Sequence, residues 1–132
     1  MNPLRHIFLL FLLPVFHVSV ADVGTAAQYS SPYLPTACYG YDSSSFPANG
    51  LFAAAADGIW DNGAACGREY LVRCLSDACT SDDTIQVTIV DYSGSSVSRP
   101  SATGTIMVLS AATFSNIADR SASQINIEFQ QV

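Results

Sequence analysis

The chain has 132 residues, and its five basic residues face eleven acidic ones, for a formal net charge of −6. Such an acidic chain is not expected to bind nucleic acid or anionic membranes, because both select basic surfaces. Its length suits one compact domain rather than two, and the charge alone names no partner.

The N-terminal residues have the features of a secretory signal peptide. A short basic segment with Arg5 precedes an apolar run over residues 7–16, and the small residues Ser19 and Ala21 follow in the pattern of a cleavage site. A membrane anchor is the alternative, but the run is too short to span a bilayer and Pro14 interrupts it. We predict a signal peptide over residues 1–21, a mature domain over residues 22–132 and secretion, without stable membrane insertion.

The mature domain lacks side chains that several reaction classes need. Both histidines, His6 and His17, lie in the predicted signal peptide. Catalytic arrangements of Ser or Cys with His are therefore excluded, and so is a metal site with imidazole ligands. With Arg5 also removed, four arginines and no lysine face eleven acidic residues, a net charge near −7. We expect no cofactor and no metal.

Short β-strand patterns alternate with turn-rich segments along the mature chain. Residues 32–50 and 58–66 are rich in turn-forming residues and predict two surface loops. Ser110 is placed to cap a short helix over residues 111–118. Apolar and β-branched patterns predict strands over residues 24–29, 51–56, 69–74, 84–91, 104–108 and 125–129. About six strands and one short helix predict a small closed β-barrel.

Four cysteines, all in the mature domain, predict two disulfides, since an even count is typical of small secreted domains. A metal site is the weaker alternative, because Cys38 and Cys66 are not a close pair. Four cysteines allow three pairings. The spacing of Cys74 and Cys79 suits a bridge across a short turn, and Cys38 with Cys66 would then close a long loop.

Two stretches carry a resemblance to a known family. The first reads Pro-Thr-Ala-Cys-Tyr-Gly over residues 35–40. The second runs from Ile59-Trp60 through Asn-Gly-Ala-Ala-Cys-Gly-Arg at residues 62–68 to Val-Arg-Cys at residues 72–74. With these motifs the chain resembles the plant natriuretic peptides, also called family-45-endoglucanase-like domain proteins. These are relatives of the first domain of expansins, in the barwin-like superfamily. The likeness covers essentially the whole mature chain.

The resemblance implies a mainly β fold, a six-stranded double-psi β-barrel stapled by the disulfides Cys38–Cys66 and Cys74–Cys79. Relatives commonly carry a further cysteine pair after the fifth strand. Here Tyr-Ser-Gly-Ser stands at residues 92–95, where the first of those cysteines would fall, and no later cysteine follows. We therefore expect the loop over residues 93–101 to be looser than in relatives.

A catalytic acid of the related hydrolases is missing. The motif His-Phe-Asp-Leu-Ser of expansins, whose Asp aligns with that acid, corresponds to Ile-Met-Val-Leu-Ser over residues 106–110. Val108 therefore stands at the position of the acid. Glycoside hydrolysis ordinarily needs two carboxylates across the scissile bond, and valine cannot donate a proton. We predict no catalytic residues and a protein that is not an enzyme.

Two candidate binding residues follow from this resemblance, and a third follows from its residue type. Tyr29 and Asp91 match residues that line the groove of related barrels, where they would contact a sugar. Asp91 has an alternative role, because an aspartate at a strand end often accepts hydrogen bonds from backbone N–H groups. Trp60, the single tryptophan, could stack on a sugar ring or simply pack in the core.

Arg68 is the fourth candidate, as a rare cation in an acidic chain. It would bind a carboxylated ligand or a receptor, or pair with neighbouring Asp61 or Glu69. We favour a monomeric apoplastic signalling protein, acting through a cell-surface receptor on water and solute homeostasis. The alternative is a module that binds wall polysaccharide without hydrolysing it. A glycan binder should expose aromatic side chains along one groove, whereas a signalling protein should expose the region of residues 38–74 beside a narrow groove.

Overall fold

The computed structural model describes residues 21–94 and 104–132. The predicted signal peptide, apart from Ala21, and most of the loop over residues 93–101 lie outside this part. Its helices are α1 (Asp57–Trp60) and α2 (Ala111–Ile117), and a 3-10 turn (Asp61–Gly63) follows α1 directly. The strands are β1 (Asp22–Tyr29), β2 (Phe52–Ala55), β3 (Glu69–Cys74), β4 (Ile85–Tyr92), β5 (Met107–Ser110) and β6 (Gln124–Gln131).

The six strands close into a barrel in the order β1-β5-β2-β4-β3-β6. Two neighbouring pairs, β1 with β5 and β2 with β4, are parallel, and the other four pairs are antiparallel. Parallel neighbours need crossover connections, so the chain between them must cross the barrel. Closure leaves no strand edge open in this sheet, and the predicted six-stranded barrel is confirmed.

Alternation of side chains along the strands fills the barrel. In β3, Tyr70, Val72 and Cys74 are buried. Ile125, Ile127 and Phe129 of β6 point inward in the same way. Strand β4 is different, because both of its faces are buried beyond Gln86. One face of β4 enters the barrel core, and Val90 on the other face joins a second apolar cluster under the loop of residues 32–50.

The helix after β5 begins where the sequence predicts. The Ser110 side chain accepts a hydrogen bond from the backbone N–H of Thr113 and so caps α2. The Thr113 hydroxyl lies 2.7 Å from the Ser110 hydroxyl and bonds the backbone of Phe52 on β2. The cap of α2 therefore also connects the helix to the barrel.

Two predictions of local structure were inaccurate. Strand β5 covers Met107–Ser110 rather than residues 104–108. Gly104 has φ of +83°, in the left-handed region, so the strand cannot begin there. The predicted loop of residues 58–66 overlaps the single turn of α1, which has no capping side chain and is followed by Asp61 with φ of 55°. One turn without a cap leaves almost no sequence signal.

The two disulfides have the pairing that the resemblance implies. Cys38–Cys66 joins the loop of residues 32–50 to the turn after α1, and Cys74–Cys79 bridges the turn after β3. In the described part of the chain, no helix is both long and apolar enough to cross a membrane.

Candidate functional site

Asp91 joins the loop of residues 32–50 to the barrel. It lies near the end of β4 and is fully buried. Its Oδ1 accepts hydrogen bonds from the backbone N–H groups of Ala37 and Tyr92, each at 2.8 Å. This geometry is the backbone-bonding alternative considered above. Its Oδ2 is buried and has no hydrogen-bond partner among the described residues.

Tyr29, at the end of β1, belongs to the same region. It is 7% exposed, and its ring meets the ring of Tyr33 edge-on with the centroids 5.0 Å apart. Its hydroxyl also lacks a hydrogen-bond partner within the described residues. Burial raises the pKa of Tyr29 far above its ordinary value, and the nearby Asp91 and Tyr33 add to the effect. The structure thus brings Tyr29 and Asp91 together, as the resemblance implied, but not at an open surface.

Aromatic side chains cover this region, which we call the covered groove. Tyr33 and Phe46, from the loop of residues 32–50, pack on Phe52 with ring centroids 4.9 and 4.7 Å away. Val108, which the resemblance aligns with the catalytic acid of related hydrolases, is fully buried there. The covered groove consists of Ala27, Tyr29, Phe52, Ala54, Val90 and Val108, with Tyr33, Tyr39 and Phe46 packed against them. The side chains at the centre of the groove are therefore covered rather than open to solvent.

Trp60 lies at the end of α1 and is half-buried against the barrel core. Its ring stacks on Tyr92, with the centroids 4.6 Å apart and the planes at 20°. The Tyr92 hydroxyl donates to Asp57, and this hydrogen bond is the main cause that raises the pKa of Tyr92. We did not predict a role for Tyr92. The only sign of it in the sequence is its position directly after Asp91. In the fold, the pairing of Ala55 with Tyr92 brings Tyr92 beside α1.

Arg68 lies apart from the groove residues. Its guanidinium forms an ion pair of 2.7 Å with Asp61, which was one of the two partners considered. That hydrogen bond is the main cause that raises the pKa of Arg68. Both residues line a cavity of about 390 Å³ beside α1, whose inner wall includes Tyr70 and Phe129. Within residues 21–94 and 104–132, no group of three or more His, Cys, Asp or Glu could hold a metal ion.

The surface around the disulfide Cys38–Cys66 is exposed, and we call it the corner surface. The hydroxyl of Tyr39 lies so close to Gly67 that a Cβ there would meet it at 3.3 Å, so the two loops are in contact. Tyr41 is 79% exposed, the highest value among the large hydrophobic side chains of the described residues. The corner surface consists of Ala37, Gly40, Tyr41, Asp42, Asp61, Asn62, Ala64 and Gly67.

Comparison with solved structures identifies the fold class. A variant of the expansin from Clavibacter michiganensis, solved in complex with cellohexaose, superposes with a TM-score of 0.62 at 22% identity. The alignment covers 85% of this chain and 50% of the expansin, so the chain spans half the length of that protein. A Streptomyces papain inhibitor superposes with a TM-score of 0.54 at 20% identity, over 86% of this chain and 98% of the inhibitor. The protein therefore has the expansin-like, barwin-like barrel.

Sequence comparison gives the family. No protein-family model matches the chain. An EG45-like domain containing protein from Citrus jambhiri is 35% identical over 119 residues, covering 84% of this chain and 82% of that protein. EG45-like domain containing protein 1 from Arabidopsis thaliana is 33% identical over 124 residues, covering 89% of each chain. The chain belongs to the family of EG45-like domain proteins.

Proposed function

We propose that this protein is a secreted, non-catalytic member of the EG45-like family that acts in the apoplast by binding a cell-surface protein through the corner surface. Its role would be signalling in water and solute homeostasis, the natriuretic-peptide type of function. The observation that carries the proposal is the contrast in exposure: the centre of the groove is buried, whereas the surface around Cys38–Cys66 is open.

The groove residues support a non-catalytic role. A glycosidase needs an acid and a second carboxylate that both reach the scissile bond. Asp91 is fully buried, and one of its oxygens already accepts two backbone hydrogen bonds. Val108 has no ionisable group and is also fully buried, on the other side of Ala54 from Asp91. The loop that covers both residues is fixed by Cys38–Cys66, so the covered state is part of the folded structure.

The corner surface has properties of a protein-binding site. Exposed tyrosine is enriched in protein interfaces because it offers contact area with little entropy to lose. Tyr41 provides such a side chain, and it lies beside Asp42 on a loop that the disulfide holds in place. A fixed loop loses less conformational entropy on binding than a free one.

A second candidate function, binding of wall polysaccharide, rests on Trp60 and Tyr92. The expansin of related fold was solved with cellohexaose, and aromatic rings commonly stack on sugars. Here the two rings stack on each other, so one face of each is already occupied. Gly94 also lies against the ring of Tyr92, where an added Cβ would come within 2.5 Å of it. This arrangement favours the protein-binding hypothesis.

One experiment distinguishes the two functions. The mature, oxidised protein is labelled and applied to plant protoplasts, which lack a wall, and to a panel of insoluble wall polysaccharides. We expect saturable binding to protoplasts that weakens in Tyr41→Ala and persists in Val23→Ala, a matched control on β1 that is 73% exposed. Binding to the polysaccharides alone, weakened by Trp60→Ala, would instead establish the second function.

A further inference from the structure

The chain contains the dipeptide Asn-Gly twice, at Asn49-Gly50 and at Asn62-Gly63. In this dipeptide the glycine nitrogen can attack the asparagine side chain, because glycine presents no Cβ to hinder ring closure. The reaction needs a side chain that is free to turn and a backbone that can change its dihedral angles. Both asparagines are exposed, so accessibility does not distinguish them. Their hydrogen bonds do.

Asn49 is held on both sides of its amide. Its Oδ1 accepts the backbone N–H of Leu51 at 3.0 Å, and its Nδ2 donates to the carbonyl of Gln86 at 3.1 Å. The attacking nitrogen is held as well, because the N–H of Gly50 donates to the carbonyl of Pro47 at 3.0 Å. These three hydrogen bonds must be disturbed before the ring can close at Asn49.

Asn62 has none of these side-chain restraints. Its amide makes no hydrogen bond to any residue in the described part of the chain, and it projects from the corner surface. Its backbone has φ of 52°, a left-handed conformation that asparagine adopts more readily than most residues with a Cβ. Asp61 before it is also left-handed, with φ of 55°. With no side-chain hydrogen bond to break, the Asn62 amide is free to rotate toward the nitrogen of Gly63.

We propose that Asn62 is a site of spontaneous deamidation in the folded protein and that Asn49 is protected. The nitrogen of Gly63, after losing its proton, forms a bond to the side-chain carbonyl carbon of Asn62, and ammonia leaves. Water then adds to either carbonyl of the resulting succinimide and one C–N bond breaks, which gives aspartate or isoaspartate. The only co-reactant is water, and no oxidation or reduction occurs.

The product changes the corner surface. A carboxylate replaces the neutral amide next to Asp61, whose carboxylate already pairs with Arg68. The acidic charge of this surface therefore rises by one at neutral pH. In the isoaspartate product the backbone also lengthens by one carbon between α1 and Cys66. The modification thus alters both the charge and the shape of one loop of the corner surface.

The test measures how fast the protein gains mass by deamidation and which asparagine is modified. The mature, oxidised protein is incubated at neutral and mildly alkaline pH, and electron-based fragmentation locates the mass increase of about one dalton that deamidation causes. We expect modification of Asn62 to accelerate with pH and to run about tenfold or more ahead of Asn49, since each hydrogen bond to be broken slows the reaction severalfold. The reduced, urea-unfolded chain should modify the two sites at comparable rates, because both share the same dipeptide.

Two variants serve as controls. Asn62→Gln should abolish the main mass increase of the folded protein, because glutamine would have to close a less favourable six-membered ring. Asn49→Gln should leave it unchanged. Equal rates at Asn49 and Asn62 in the folded protein would overturn the proposal, as would a folded protein that stays unmodified while the unfolded chain reacts. A melting temperature for each variant establishes that it is folded.

Discussion

The disulfide Cys38–Cys66 should stabilise the fold more than Cys74–Cys79 because it closes a longer loop. The bridged residues are separated by 28 and 5 positions along the chain. In the chain-entropy model, loops of these lengths stabilise the folded state by about 3.6 and about 2.1 kcal/mol at 25 °C. A domain of this size unfolds with an entropy of roughly 0.23 kcal/mol/K, so loss of each bridge should lower Tm by about 15 and about 9 °C.

The assay compares two double variants, Cys38→Ala with Cys66→Ala and Cys74→Ala with Cys79→Ala. Alanine is preferable to serine because Cys74 is only 3% exposed, and a buried hydroxyl would add its own cost. Thermal unfolding is followed by circular dichroism, and urea unfolding gives the free-energy difference. Equal losses in the two variants, or a larger loss without Cys74–Cys79, would refute the loop-closure reasoning. An unchanged Tm of the unaltered protein under reductant would refute the structural role of both bridges.

Three further predictions concern the covered groove and α2. Tyr29→Phe should leave stability at pH 7 unchanged or slightly higher, because it removes a buried hydroxyl without a partner among the described residues. Burial raises the pKa of Tyr29 above its unfolded value of about 10, so below that pH the ionisation of Tyr29 does not affect stability. As the pH rises further, Tyr29 ionises first in the unfolded state, and the free energy of unfolding falls. Urea unfolding should therefore show a smaller alkaline loss in the variant, and an identical loss would contradict this assignment. Val108→Asp should lower the free energy of unfolding by about 3 kcal/mol or more without creating activity, because it buries an unpaired charge. Reducing-sugar assays on glucan and xyloglucan should be negative for the variant and for the unaltered protein, and reproducible release by the latter would contradict a non-catalytic role. Ser110→Ala should cost about 1 kcal/mol as the loss of a cap and Thr113→Val about 2 kcal/mol, since the Thr113 hydroxyl also bonds the backbone of Phe52. The reverse order in urea unfolding would show that the cap matters more than the link to β2.

Most of the fold could be predicted from local patterns in the sequence. Alternation in β3 and β6 reflects one face in the barrel core and one toward solvent, which two-residue periodicity reveals directly. Ser110 marked the start of α2 because a cap is made within one turn. Strand β4 was identified by its β-branched residues although both of its faces are buried, a burial that no alternation can reveal.

The candidate site depended on contacts that sequence cannot supply. Asp91 receives the N–H of Ala37, which lies 54 residues earlier, and this bond forms only when the barrel brings the loop of residues 32–50 over β4. Trp60 and Tyr92 stack because β2 and β4 are parallel neighbours. The ion pair of Arg68 with Asp61 is the exception, because it joins residues seven positions apart and was one of the two pairings expected from the sequence.

The sequence by itself determined most of the strands and the helix start, because periodicity and capping are local properties. That Val108 replaces a catalytic acid is what the resemblance implied. The motifs also identified the family and, through the resemblance, the disulfide pairing. Only the tertiary structure decided that Tyr29 and Asp91 are covered, that one face of the Trp60 ring packs on Tyr92 and that the corner surface is open. Burial is the sum of contacts between segments distant in the chain, and a closed barrel fixes those contacts only when all six strands are in register.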